Sequence, residues 1–421
     1  VKKFVLALVF GVTAAGVGAP ADAEPRSDGV RVWNELALTA VRATRATDAD
    51  AARTYAMLNV ALYDAVNGLT GTRTHALVPG PGPHGADARA AAVAAAHAVL
   101  IRLDPGRAAT YDVQLRTDLD RLPAGRHRDA GERWGREVGQ RVVAARADDG
   151  STPVLSQPAG TGPGVFRAEW SGVQYRDVRP FAVRNPSAYV PGPPPALGSL
   201  DYAAAFAEVA LLGDAALPAP DKLATFQFWS VPTGTDQPAG EWVKIALTVS
   251  RDRSPADSAR LLALLTMALA DSTVPTVATK FTYRHWRPAT AIREADTDGN
   301  PSTQPNPGWT PRAGGIGGTP EYPSGHSSYS GAAAAVLAGF FCADNIRFAH
   351  TTDTAPDGQA RTYPSFSAAA VEAGRSRVFG GQHFEFSDQA GLAIGRGVAA
   401  EVLATRLLKR TGPTHHGECP L

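Results

Sequence analysis

The sequence predicts an all-α protein of packed helical bundles joined by long Gly/Pro-rich loops, and three observations carry that expectation. Apolar residues recur with helical spacing through most of the 421-residue chain. Alternating runs of the β type are scarce. Gly and Pro gather in two stretches, about 150–198 and 296–321, between the periodic segments. With 44% hydrophobic and only 19% charged residues, the chain can bury a large core rather than remain disordered. Its length suits one large core or two packed helical domains.

In chain order, residues 32–66 carry one or two helices, with Tyr55, Leu58, Ala61, Leu62 and Ala65 on one side of the second half. Amphipathic helices follow at 86–103, 108–119 and 129–146, separated by polar or Pro/Gly-containing breaks. The 150–198 stretch reads as an irregular connection, and such a long one in a compact domain often shapes a site entrance. Helical spacing resumes at 202–212, 221–229 and 242–249. A strongly apolar helix begins at 256 and leads on towards Lys280. After the second loop, helices are expected at 324–342, 365–377 and 387–408. The organisation expected is an N-terminal helical region over 24–200, a C-terminal bundle over 201–410 and a tail over 411–421. There is no internal repeat of roughly 20–50 residues.

Lys and Arg number 41 against 40 Asp and Glu, which argues against nucleic acid or an anionic membrane as the principal partner. Any cationic site must therefore be local. Lys2 and Lys3, the apolar stretch 4–17 and Ala21-Asp22-Ala23 read as a secretory signal over 1–23, cleaved before Glu24. The apolar run is short for a membrane span, although a retained anchor is the alternative. On this reading the mature chain is extracellular, or periplasmic in a Gram-negative source, with no stable membrane insertion. In an exported protein Cys342 and Cys419 are expected to pair; otherwise Cys342 is a buried thiol and Cys419 a free one. Neither number nor spacing suggests a cysteine metal site.

Three blocks in the C-terminal half carry chemistry. In Tyr322-Pro-Ser-Gly-His-Ser327 a loop runs into an Ala-rich helix start. Free N–H groups and the helix dipole there favour an anion, with Gly325 allowing close approach and Ser324 donating a hydroxyl. His326 stands at the same edge, placed to give or take a proton. Taken alone, the tetrapeptide is equally a plain helix cap with an exposed histidine. In the second block Lys280 and Arg287 lie seven positions apart, two helical turns and hence one face, and Pro288 ends or kinks that helix. Two cations facing one way suit an oxyanion, although a solvated basic face is the commoner meaning of such a pair. Phe281, Tyr283 and Trp286 argue for partial burial instead. The third block supplies Arg377 and His383 around the Gly380-Gly381 turn. A neutral His383 could attack phosphorus or ligate a metal oxyanion, whereas a lone histidine is more often structural.

Together, Lys280-x6-Arg287-Pro288, Pro323-Ser324-Gly325-His326 and Ser376-Arg377-x5-His383 resemble the PAP2 acid phosphatase and vanadium haloperoxidase superfamily. The flanking KFTYRHWRPATAIREADTDGNP and GGQHFEFSDQAG, with the upstream RTYAMLNVALYDAVNG, are similar to its bacterial vanadium-dependent haloperoxidase branch. The resemblance is weakest across 70–200. It implies that Lys280, Arg287 and Arg377 bind the oxygens of vanadate, with Ser324 and the Gly325 N–H as further donors. His383 would be the axial vanadium ligand and His326 the acid–base residue. Hydrogen peroxide and halide would be the substrates, a hypohalous acid equivalent the product, and a small organic acceptor a further partner. Vanadium would act as a Lewis acid without changing oxidation state.

The same cage resembles that of the acid phosphatases, in which His383 would be the nucleophile and His326 the acid for the leaving group. The phosphatase pattern places Asp four residues after the histidine to orient its ring. Here that position is Ser387, with Asp388 one later, which weighs against phosphatase and leaves the partner of His383 open. Five residues before Ser324, where relatives carry an aromatic or a histidine that affects the halide, this chain has Thr319. A non-catalytic oxyanion-binding protein is the alternative from another class. Gly325-His-Ser-Ser-Tyr329 fails as a nucleophile elbow because its fifth residue is Tyr and no strand precedes it. A zinc-hydrolase His-Glu-x-x-His pattern is also absent.

Overall fold

Helix caps written into the sequence set several of the element boundaries. The structure, a computed structural model, describes residues 29–411; the expected leader over 1–23 and Cys419 lie outside the described residues. Five helices come first: α1 (Gly29–Thr44), α2 (Asp48–Thr70), α3 (Ala88–Leu103), α4 (Ala108–Asp120) and α5 (Arg126–Ala145). The 150–198 connection follows, then α6 (Leu200–Leu212), α7 (Pro220–Phe228), α8 (Gln237–Val249), α9 (Pro255–Tyr283) and α10 (Pro288–Arg293). The last three are α11 (Gly325–Phe341), α12 (Phe366–Phe379) and α13 (Glu385–Thr405). Side chains of Thr47, Asp87, Ser254, Ser324 and Ser365 accept from first-turn N–H groups of α2, α3, α9, α11 and α12. Apart from isolated bridges, β-structure among the described residues is confined to two antiparallel pairs. These are Ser156–Gln157 with Trp170–Ser171, and Phe348–His350 with Arg361–Tyr363. The all-α expectation holds.

One apolar core runs from Val30 of α1 to Leu407 and takes in buried residues of α2, α3, α8, α9, α11 and α13. Helix α9 is its spine. It spans 29 residues, and an 18-residue window of mean hydropathy 1.6 is 89% buried within the protein. Its apolar character is thus that of a core helix enclosed by its neighbours. Helices α11 and α13 meet backbone to backbone at Gly391, where a Cβ would lie 2.4 Å from the Ser324 carbonyl oxygen. That contact fixes the start of α13 against the start of α11.

One sequence expectation needs correction. Lys280 and Arg287 do not share a helical face. Helix α9 ends at Tyr283, and Arg284 adopts the left-handed conformation (φ 49°) that turns the chain away. Arg287 is the extended residue before α10, and Pro288 sits in the first turn of that new helix rather than kinking the old one. The corner so formed is covered by the 150–198 connection. Trp286 N–H donates to Gly164 O at 2.9 Å, and Phe166 N–H to Arg284 O at 2.7 Å. Further along, the buried Asp271 of α9 receives the N–H groups of Phe181, Ala182 and Val183 at 2.6, 2.7 and 2.8 Å. The irregular segment is therefore ordered by specific bonds to α9 and to the corner that follows it. Cys342 is disulfide-bonded.

Candidate active site

The corner after α9, the loop before α11 and the turn between α12 and α13 bring the three sequence blocks together. Lys280, Arg287, Ser324, Arg377 and His383 are all buried, and Gly325 and His326 are half-buried at the same place. Lys280 Nζ donates to Pro320 O and, at 3.5 Å, to Glu321 O. Arg287 bonds Thr319 O through Nε at 2.8 Å and Gln382 O through Nη1 at 2.7 Å. Gly317 (φ 92°) closes over this guanidinium; a Cβ there would lie 2.6 Å from Arg287 Cζ. Arg377 uses Nη2 on the Gln382 side chain, with its guanidinium 5.0 Å from the centre of the Phe226 ring. Thr319, five residues before Ser324, faces the cage: its hydroxyl lies 3.3 Å from Arg287 Nη2.

The partner of His383 left open by the sequence is Glu321. Nδ1 of His383 lies 3.1 Å from Glu321 Oε1, and Nε2 lies 3.0 Å from Arg287 Nη1. An arginine can only donate and an ionised carboxylate can only accept. The ring is therefore the Nδ1–H tautomer, with the Nε2 lone pair turned into the cationic cage. Glu321 is fully buried and also receives Phe384 N–H at 2.9 Å and Ser387 Oγ–H at 2.7 Å. His285 Nδ1 stands 3.5 Å from its second oxygen. Burial alone would raise this carboxyl, but the hydrogen bonds from His285 and His383 outweigh burial and hold it well below the usual carboxylate range. Ser387 is thus no gap in the pattern. It donates to the carboxylate that has come from another loop.

The remaining electrostatics follow from packing cations together. Burial, then the charge of Arg287, push Lys280 well down. Burial lowers Arg287 to about 10, and burial with the charge of Arg287 lowers Arg377 to about 9. Burial and Arg287 push His383 down to about 3, with Glu321 opposing. Burial and Arg377 hold His326 well below the usual histidine range, while its Nε2 lies 3.3 Å from Ser230 O. Both rings are therefore neutral near pH 7, each with a lone pair to use. Glu321 is the buried acid that opposes this positive charge, and Asp48 is the second acid acting on Lys280. Its Oδ2 lies 3.8 Å from where a Gly325 Cβ would stand.

The donor set fits a compact oxyanion. Arg377 Nε and Nη1 are buried without hydrogen-bond partners, which is costly unless a ligand satisfies them. Ser324 Oγ accepts from Ser327 N–H at 3.3 Å and Ser327 Oγ–H at 2.8 Å, so both its lone pairs are taken. Its own O–H is left to donate. The first N–H groups of α11 complete the cradle.

Comparison with known proteins adds a family match and a likeness of fold. Residues 260–409 match the family described as the VCPO second helical-bundle domain. The first bacterial vanadium-dependent iodoperoxidase aligns with a TM-score of 0.76 at 23% identity, covering 90% of this chain and 96% of that one. Two bacterial vanadium-dependent chloroperoxidase structures also align. The apo type gives 0.63 at 15% identity, over 83% of this chain and 92% of its own. The holo type gives 0.62 at 16% identity, over 85% and 92%. No protein of curated function matches the sequence. The resemblance read from the motifs is borne out: the chain has the vanadium haloperoxidase fold.

Proposed function

We propose that this chain is a vanadate-dependent haloperoxidase that oxidises halide with hydrogen peroxide to a hypohalous acid equivalent. The observation that carries the reading is the His383 ring, its Nε2 lone pair turned to Arg287 with the charge of Lys280 also acting on it, while Nδ1–H is held by Glu321. Vanadate bound there would supply a Lewis acid that activates peroxide at a constant oxidation state. His383 Nε2 is then the metal ligand. Lys280, Arg287 and Arg377 neutralise the oxygens, and Ser324 Oγ–H with the Gly325 N–H adds neutral donors. His326, neutral and half-exposed, takes a proton from incoming peroxide and returns it to the product oxygen. Burial of the cage strengthens each of these interactions.

Phosphomonoester hydrolysis is the second reading, and Glu321 is the observation that favours it. A carboxylate on Nδ1 would suit a nucleophilic histidine as well as a ligating one, so Ser387 no longer weighs against it. What tips the balance is the similarity of fold and second bundle to vanadium-dependent peroxidases. A paired assay on one preparation separates the two. With added vanadate, peroxide-dependent oxidation of iodide or bromide is expected. Hydrolysis of p-nitrophenyl phosphate without halide oxidation would replace this reading with the phosphatase one. Tight vanadate binding with neither activity would make the chain a non-catalytic oxyanion binder.

The leader over 1–23 and the disulfide at Cys342 support export to an oxidising compartment. Secretion of the chain by its native host, with residues 1–23 removed, is the test of that part.

A further inference from the structure

Asp388 has no part in the chemistry above, and its environment is unusual. It is 1% exposed, and neither carboxylate oxygen has a hydrogen-bond partner. An ionised carboxylate so placed is strongly unfavourable, whereas a neutral carboxyl needs one acceptor for its O–H. The side chain is wedged between α13 and α12. A Cβ on Gly374 of α12 would lie 1.9 Å from Asp388 Oδ1, so only glycine admits it there. On the α11 side the neighbouring hydroxyl is that of Ser327, whose Cβ packs against α13 one turn on, 2.8 Å from where a Gly391 Cβ would stand, and which acts on the carboxyl without a formed hydrogen bond. That hydroxyl is turned to Ser324 Oγ at 2.8 Å, and Ser324 is the cage donor.

We propose that Asp388 is a positioning residue that sets, through Ser327, whether the Ser324 hydroxyl donates into the oxyanion cage. With Asp388 neutral, its O–H donates to Ser327 Oγ, Ser327 donates to Ser324, and the Ser324 proton is free for an anion. When Asp388 is ionised it draws the Ser327 proton to itself. Two hydroxyl oxygens 2.8 Å apart need a proton between them, so Ser324 then donates to Ser327 and turns a lone pair towards the anion. One proton leaves Asp388 for solvent, no covalent bond changes, and two O–H groups reverse. Burial raises Asp388 to about 7; Ser327 and the cations Arg375 of α12 and Arg396 of α13 lower it, and Glu385 raises it. Arg375 is itself paired with Glu208 and Glu385. Affinity for an oxyanion is therefore expected to fall as pH rises through neutrality.

This inference rests on reading the cage as an oxyanion site, and two variants of the full chain test it by calorimetric titration of orthovanadate at pH 5.5 and 8.5. Affinities are taken as ratios to wild type, so that the protonation of vanadate itself cancels. Asp388→Asn keeps an N–H donor towards Ser327 at every pH. It should match wild type at pH 5.5 and bind about tenfold tighter at pH 8.5, one hydrogen bond's worth. Ser327→Ala cuts the chain but keeps the carboxyl, and should also gain on wild type at pH 8.5. Ratios that do not change with pH in either variant would overturn the proposal. So would Ser327→Ala following wild type while Asp388→Asn does not, since the effect would then be that of the charge alone. Failure of wild type to bind vanadate at either pH would overturn both this proposal and the oxyanion reading.

Discussion

His383 Nδ1 lies 3.1 Å from Glu321 Oε1, a contact between residues 62 positions apart that decides what the histidine can do. The carboxylate holds the proton on Nδ1 and leaves Nε2 unprotonated, facing Arg287. The ring is thereby oriented with an electron pair to offer before any anion arrives.

Glu321→Gln should weaken vanadate binding by about 10–100-fold, the usual effect of removing the partner of a ligating histidine. Loss of the charge also leaves Ser387 and Phe384 N–H with a poorer acceptor, so the melting temperature should fall. The double variant Glu321→Gln with Ser387→Asp returns a carboxylate from the α13 side, where Ser387 Oγ now lies 2.7 Å from Glu321 Oε2. It should recover part of the affinity, measured by titration. Equal affinity in wild type and Glu321→Gln would contradict the role given to Glu321.

Gly317→Ala acts on the cage without changing a cage residue. The added Cβ would meet Arg287 Cζ at 2.6 Å, at a residue already in the left-handed region (φ 92°). The loop or the guanidinium must move. A loss of about 1–3 kcal/mol of stability is expected from the strain, with a larger fractional loss of vanadate affinity. Denaturant unfolding and titration of the same preparation give the two numbers.

His326→Ala should leave vanadate bound and lower turnover by about 10²–10⁴-fold, as removal of a proton-transfer group does. Because burial and Arg377 keep His326 well below the usual histidine range, the wild-type residue is neutral from moderately acid pH upward. The halide-oxidation rate of wild type should therefore show no loss attributable to this group on going from pH 7 to pH 6. Steady-state rates on wild type and variant across that interval provide the check.

Asp388 makes a separate prediction about stability. Its folded value is raised from 3.8 to about 7, so what it contributes is fully present below pH 3.8 and is lost as pH rises through about 7. Asp388→Asn removes that loss. The stability of the variant relative to wild type should grow by up to about 1.4 kcal/mol per pH unit between pH 4 and 7. Urea midpoints at pH 5 and 8 measure it. A difference independent of pH would mean that Asp388 is ionised throughout.

Most helices, the all-α class and every residue of the three motif blocks were legible in the sequence. Helix periodicity and caps are local signals, and Ser324, Gly325 and His326 announce a helix start by composition alone. Glu321 was not legible, because nothing in Pro-Glu-Tyr-Pro shows that its side chain faces a histidine in the turn after α12. The absence of Asp at position 387 was visible, but its compensation from another loop was not. The shared face assigned to Lys280 and Arg287 failed because periodicity takes no account of a non-glycine residue, Arg284, turning left-handed (φ 49°). Helix α10, only six residues long, carries too little repeat to be seen. In both cases the chain's turn at the site was lost, and the chemistry at its two ends was not.

The central claim is that His383 Nε2 binds vanadium inside a cage of Lys280, Arg287 and Arg377. X-ray absorption at the vanadium edge on the full chain loaded with vanadate tests it most directly. One nitrogen among the oxygen scatterers is expected in wild type, and loss of that nitrogen together with most bound vanadium in His383→Ala. An all-oxygen shell in wild type, or unchanged vanadium in His383→Ala, would contradict it.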